Sequence, residues 1–221
     1  MEYEIRYKPA FSTIFVALKP GDKITAEAGA MTSMDANLLM KTKFSGGFFS
    51  ALLKKFLGKE SLFVNTYINN SDETLSIVLS QSIVGDIEAL ALEDSEICLQ
   101  PGAYIAHTSG IDMGVAFAGF ASWIAGEGLF KLKLKGQGTV FFGAYGGLTK
   151  KEISGDYVVD NGHLVAYEPN IQMGIRLAGG IFGSLTSGEG LVNKLKGSGT
   201  IYLQSRSVNS LVRFLKPKVP K

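Results

Sequence analysis

From Glu2 to Phe15 polar and apolar residues alternate, and Ile14 to Leu18 is apolar throughout. Alternation marks a half-buried strand, because successive side chains leave opposite faces of the backbone. Pro20-Gly21-Asp22 supplies a turn, so the stretch predicts a hairpin. Lys23 to Lys43 continues in strand-like pieces broken at Gly29. Further on, Ser61, Phe63, Asn65, Tyr67 and Asn69 share one face, and Leu62, Val64, Thr66 and Ile68 the other. Asn69 to Asp72 reads as a turn and Thr74 to Leu79 as a strand. Ile87–Leu92, Ile97–Leu99 and Tyr104–His107 are further short strands. Lys131, Lys133 and Lys135 then alternate with Phe130, Leu132 and Leu134, which predicts a strand with its lysines on the wet face. Residues 191–206 repeat that arrangement, and K-G-Q-G (135–138) and K-G-S-G (196–199) read as hairpin turns. Two stretches have helical spacing. One is short: Phe48, Leu52 and Phe56, with Lys54 and Lys55 opposite. The other is C-terminal, where Ser207 can cap N-S-L-V-R-F-L and Pro217 stops it; Leu211, Val212 and Leu215 on one face predict a helix docked on the body. The sum is an all-β sandwich or barrel with a short C-terminal helix.

The pattern repeats. Setting Gly29, Gly102 and Gly162 level brings Met40, Met113 and Met173 into one column, with Leu38, Ile111 and Ile171 two places before. Glycine-rich apolar runs (44–57, 114–128, 174–190) end at Glu60, Glu127 and Glu189, and Gly21-Asp22, Gly85-Asp86 and Gly155-Asp156 open the units. Three tandem units of about 60–70 residues follow. Their boundaries fall at 1–60, 61–128 and 129–206, with helix and tail at 207–221. A pseudo-threefold arrangement would bring the three glutamates into a triangle.

Composition narrows the class. The chain has 221 residues, 46% of them hydrophobic and 19% charged, which is globular rather than disordered. That length supports one large core or two ordinary ones. A net charge of +2 does not call for a polyanion partner. Cys98 is the chain's one cysteine, so no internal disulfide forms, and its place in E-I-C-L-Q makes it a strand core residue. The charged, alternating start is not expected to be a targeting segment, and the uncharged run from Met113 to Gly126 falls short of the roughly 20 residues that span a bilayer. A cytoplasmic location is expected.

L-K-P-G-D-K-I-T-A-E-A-G-A-M-T-S-M (18–34), E-S-L-F-V-N-T-Y (60–67), P-G-A-Y-I-A (101–106) and the closing G-T-I-Y-L-Q-S-R resemble a family of uncharacterised proteins widespread in bacteria and archaea. It is related to a eukaryotic mitochondrial-biogenesis protein named for altered inheritance of mitochondria. The resemblance spans nearly the whole chain. It implies three repeated β domains, similar to the trp RNA-binding attenuation protein and grouped with double-stranded β-helix-like folds. It implies no enzyme activity and supplies no catalytic residues.

The candidate chemistry is therefore binding. Glu60, Glu127 and Glu189 could hold a cation between them, since hard ions take oxygen ligands, or could accept backbone N–H bonds in glycine turns. Phe48, Phe49, Phe120, Trp123, Ile124, Ile181 and Phe182 make the glycine-rich runs candidate interaction surfaces for a protein partner, for self-association or for the face of a membrane. His107 and His163 lack zinc-site spacing, and neither sits with a nucleophile. No metal, cofactor or catalytic residue is indicated. The lysine row is full only in the second unit, which disfavours nucleic acid. The expectation is a non-catalytic binding or scaffolding protein, with a small-ligand, metal or nucleic-acid binder at a pseudo-threefold site as the alternative.

Overall fold

The computed structural model describes residues 1–44, 63–100, 102–117, 130–160, 162–177 and 191–218. Among them the chain is nearly all antiparallel strand with one C-terminal helix. A small sheet is ordered β1 (Glu2–Arg6), β2 (Thr13–Leu18), β7 (Leu75–Ser80) and β4 (Met31–Met34). In the large sheet β12 (Leu148–Asp160), β15 (Leu191–Gln204), β13 (Leu164–Tyr167), β8 (Ile87–Leu99) and β11 (Phe130–Gly143) lie side by side. It continues through β9 (Tyr104–Thr108), β3 (Lys23–Glu27) and β6 (Phe63–Ile68) to β5 (Leu39–Phe44). Two further strands branch from it, β10 (Ile111–Phe117) on β11 and β14 (Gln172–Leu177) on β15. β1 and β4 end the small sheet, and β12 and β5 end the large one.

The long strands dictate the rest. β11 pairs with β8 along one edge, and on its other edge with β10 first and β9 afterwards. β15 does the same with β12, then β14 and β13. Where the partner changes, another segment crosses close to the long strand, and the strand answers with glycine. A Cβ on Gly136 would lie 2.2 Å from the Gly110 carbonyl oxygen, and one on Gly197 would lie 2.8 Å from that of Asn170. K-G-Q-G and K-G-S-G are therefore not hairpin turns. They lie inside β11 and β15 and clear room for a crossing. The crossing segment also supplies an acceptor to the strand: Thr139 N–H donates to Thr108 Oγ1 at 2.9 Å, and Thr200 N–H to Glu168 Oε2 at 3.2 Å. At β7 the Ser76 N–H donates to Asp35 Oδ2 at 2.6 Å, a bond that helps hold the Asp35 carboxyl below its ordinary range.

The strands expected at Ile87–Leu92 and Ile97–Leu99 are one strand, β8. The polar E-D-S-E between them hid the continuity. Asp94 takes a left-handed φ of 51° and the register shifts opposite Gly136/Gln137, so a bulge bends the strand without ending it.

Burial follows from position in the sheet. β9 and β13 lie between two strands each, and Tyr104–His107 and Leu164–Tyr167 are buried on both faces. Three apolar clusters form rather than one or two. The first gathers Ile14, Leu18, Ile24, Ile77 and Leu79 but borrows Phe141 from β11; the second centres on Leu99, Leu134 and Phe142 and borrows Tyr202 from β15. The third holds Cys98, Tyr167, Leu195 and Ile201. Borrowed aromatics tie the clusters together, with Phe142 and Tyr202 edge to face at 5.0 Å. A glycine seam joins their starts: Gly85 forms parallel bridges to both Phe11 and Gly146.

The C-terminal helix α1 (Val208–Leu215) starts where expected, with the Ser207 side chain accepting from Ser210 N–H. It is not docked. None of its residues is buried, and Val212 and Phe214 are 54% and 62% exposed. Helical spacing shows which face is apolar, but not that the body has a groove to receive it.

Candidate functional site

The glycine-rich runs are placed by the strands that lead into them. β5 pairs with β6 up to Phe44 opposite Phe63. β10 pairs with β11 up to Phe117 opposite Phe130, and β14 with β15 up to Leu177 opposite Leu191. Each run thus connects the facing ends of one antiparallel strand pair. Glu60, Glu127 and Glu189, and the apolar candidates Phe48, Phe49, Phe120, Trp123, Ile124, Ile181 and Phe182, lie in these runs and outside the described residues, as does the short helix read at 48–56.

The described bases of the three pairs match position for position. Met40, Met113 and Met173 stand opposite Tyr67, Leu134 and Leu195, all three of which are buried. One step nearer the run, Lys41, Gly114 and Gly174 stand opposite Thr66, Lys133 and Lys194. Three lysines beneath the second and third runs are committed within the sheet. Lys133 pairs with Glu96 at 2.8 Å, which raises its pKa, and Lys194 pairs with Asp156. Lys131 Nζ donates to the Tyr167 hydroxyl at 2.9 Å and lies 5.1 Å from that ring's centroid. Phosphate binding would have to compete with these partners.

Other polar groups are structural in their contacts. Tyr104 donates its hydroxyl to the Thr25 carbonyl at 3.1 Å and meets His107 Nδ1 at 2.8 Å, so Nδ1 carries the proton in this arrangement. A strand places residues i and i+3 on opposite faces, but Ile105 is skipped in the pairing with β11, which turns Tyr104 and His107 to the same side. Burial lowers the His107 pKa to about 4, with Asp112 pulling the other way. Burial likewise pushes the Cys98 thiol up, against the pull of Lys131, and keeps it a poor nucleophile. His163 Nδ1 lies 2.8 Å from the Gln204 carbonyl oxygen it donates to.

The Gly-Asp pairs separate. Gly21 and Gly155 are left-handed, with φ of 84° and 96°, while Gly85 is a bridge residue just before β8; the left-handed residue of β8 is Asp94. Asp86 is buried and accepts from Ser12 Oγ at 3.0 Å and Ile87 N–H at 2.8 Å, with Lys8 Nζ at 3.4 Å. Sequence reasoning missed this cluster, whose members are 74 residues apart. Among the described residues, three or more His, Cys, Asp or Glu side chains nowhere gather as metal ligands would. No helix there is long and apolar enough to cross a membrane.

The fold is matched by a known structure, and the sequence by known relatives. The family model described as mitochondrial biogenesis AIM24 matches residues 3–206. The chain belongs to the AIM24 family. An uncharacterised protein of Streptococcus pyogenes serotype M6 is 26% identical over 229 residues, covering 100% of this chain and 92% of that one. An X-ray crystal structure of a Streptococcus pyogenes protein superposes with a TM-score of 0.80 at 26% identity, covering 99% of each chain. The AIM24 match ends at Arg206, one residue before the cap of α1.

Proposed function

We propose that this AIM24-family chain is a non-catalytic binding or scaffolding protein, cytoplasmic, that acts on a partner protein or on its own copies through the three glycine-rich apolar runs. The observation that carries this reading is the shared register of the strand pairs beneath them: the same columns, Met40/Met113/Met173 included, lead to each run. We extend it to the architecture. Residues 11–80, 85–143 and 146–204 are three copies of one unit about a pseudo-threefold axis, a plan similar to that of the trp RNA-binding attenuation protein. These limits keep β5 with β6 and β10 with β11. Support comes from β4, β9 and β13, which skip one residue each in pairing β7, β11 and β15, at Thr32, Ile105 and Val165. Equivalent units would give the three runs equivalent points of attachment.

The test is a triple variant, Phe48→Ser, Trp123→Ser and Phe182→Ser. Self-association by sedimentation velocity, and retention of a crosslinked partner, are expected to fall while the melting temperature stays within a few degrees. A collapse of the melting temperature would show that the runs pack inward as core. Unchanged association would also overturn the reading.

A further inference from the structure

We propose that α1 seats on the surface of an anionic lipid bilayer. This inference is independent of the proposed role of the glycine-rich runs. Val208, Leu211, Val212 and Leu215 follow the i, i+3, i+4, i+7 spacing of one helix face, with Phe214 beside it. Their exposures run from 37% at Leu211 to 62% at Phe214. Asn209, Ser210 and Arg213 take the opposite side, and Lys216 and Lys218 follow in a 3-10 turn. Lys218 Nζ lies 4.7 Å from the Phe214 ring centroid, so a cation borders the apolar face.

Charge selects the occupant. The chain carries no Asp or Glu after Glu189, whereas Arg206, Arg213, Lys216, Lys218 and Lys221 follow. A second copy placed helix against helix would set these cations against their own equivalents. Lipid phosphates complement them instead. At 1.5 Å per residue an eight-residue helix is about 12 Å long, which suits shallow insertion in the plane of the interface and not a crossing. Each basic residue near such a surface strengthens binding roughly fivefold, and the apolar face adds burial in the boundary between headgroups and acyl chains.

The experiment is sedimentation of the full chain with sucrose-loaded vesicles, either of phosphatidylcholine alone or with about a third phosphatidylglycerol. The chain is expected to partition onto the phosphatidylglycerol vesicles and not onto the neutral ones. Arg213→Gln/Lys216→Gln/Lys218→Gln should weaken that partitioning on the order of a hundredfold, and Leu211→Gln/Leu215→Gln by at least about tenfold. Neither should shift the melting temperature much, because α1 buries nothing. Equal binding to both vesicle types, full binding by the Leu variant, or no binding at all would overturn the proposal. So would an oligomer that the Leu variant alone dissolves, since a second copy would then cover the face.

Discussion

Two parts of the large fold meet the same mechanical demand differently. β8 against β11, and β12 against β15, run as continuous ribbons of 13 and 14 residues. The stretch 13–27 against 63–80 pairs in the same sense but is cut in two, as β2 with β7 and β3 with β6. A ribbon that long must bend to stay wrapped on a core. In β8 and β12 one left-handed residue, Asp94 or Gly155, absorbs the bend. In the cut pair, buried and half-buried polar contacts splice the chain. Asn69 Nδ2 donates to the Leu18 and Glu73 carbonyls at 2.8 and 2.7 Å, and the N-terminal ammonium sits 2.7 Å from Asp22. The comparison teaches that one pairing plan tolerates either backbone freedom or side-chain splicing at its midpoint.

The sharpest way to break an unbroken ribbon is Gly136→Ala. Its φ of 124° strains any L residue, and the new Cβ would meet a backbone oxygen that cannot swing away. A loss of about 3–4 kcal/mol is expected in urea unfolding. Gly21→Ala is the control from the cut pair: left-handed at 84°, but with nothing within 4 Å of the new Cβ, it should cost only about 1 kcal/mol. Equal losses would contradict the crossing geometry.

A pH series separates the ribbons next. His107 titrates at about 4 when folded, and near 6.5 when unfolded. Below 6.5 the unfolded chain binds a proton that the folded chain refuses. Stability is therefore full above about pH 6.5, falls by about 1.4 kcal/mol per unit as pH drops, and levels off near 4, a total of about 3 kcal/mol. His107→Gln should remove this component. Met34 and Tyr167 hold the matching places opposite Ile77 and Ile201, as His107 does opposite Val140, and neither carries an imidazole. A variant that still showed the full slope would place the titration elsewhere.

A smaller effect than the histidine's probes the splice. Asn69→Ala leaves the Leu18 and Glu73 carbonyls without their buried donor, for an expected loss of about 2 kcal/mol. Ser71, which donates its N–H to Asn69 Oδ1 at 2.9 Å, should lose amide exchange protection in the same variant.

These effects also mark how far the residues can be read unaided. Period-two alternation located the strands because side-chain period is a local property. The same logic failed at K-G-Q-G, where a glycine pair looks alike in a turn and in a strand that must clear a passing carbonyl. What decides is residue 110, which is distant in the alternation although near in space. E-D-S-E within β8 misled for the opposite reason: polar residues at a bulge imitate a loop. Ser207 and the spacing to Leu215 specified a helix, since caps and periods are local, but whether a groove receives it is not. For the candidate site, sequence named the runs, and the strand register beneath them supplied their matching attachment.

The strands that end each sheet carry one further consequence. β12 presents Lys150, Lys151 and Glu152 at its exposed rim, and β1 presents Glu2, Glu4 and Arg6. An open strand edge is a template on which other chains can grow into fibrils, and charge along that edge is the usual deterrent. The backbone edges of β1 and β12 are thus guarded by charge, whereas β4, the other end of the small sheet, carries no charged residue.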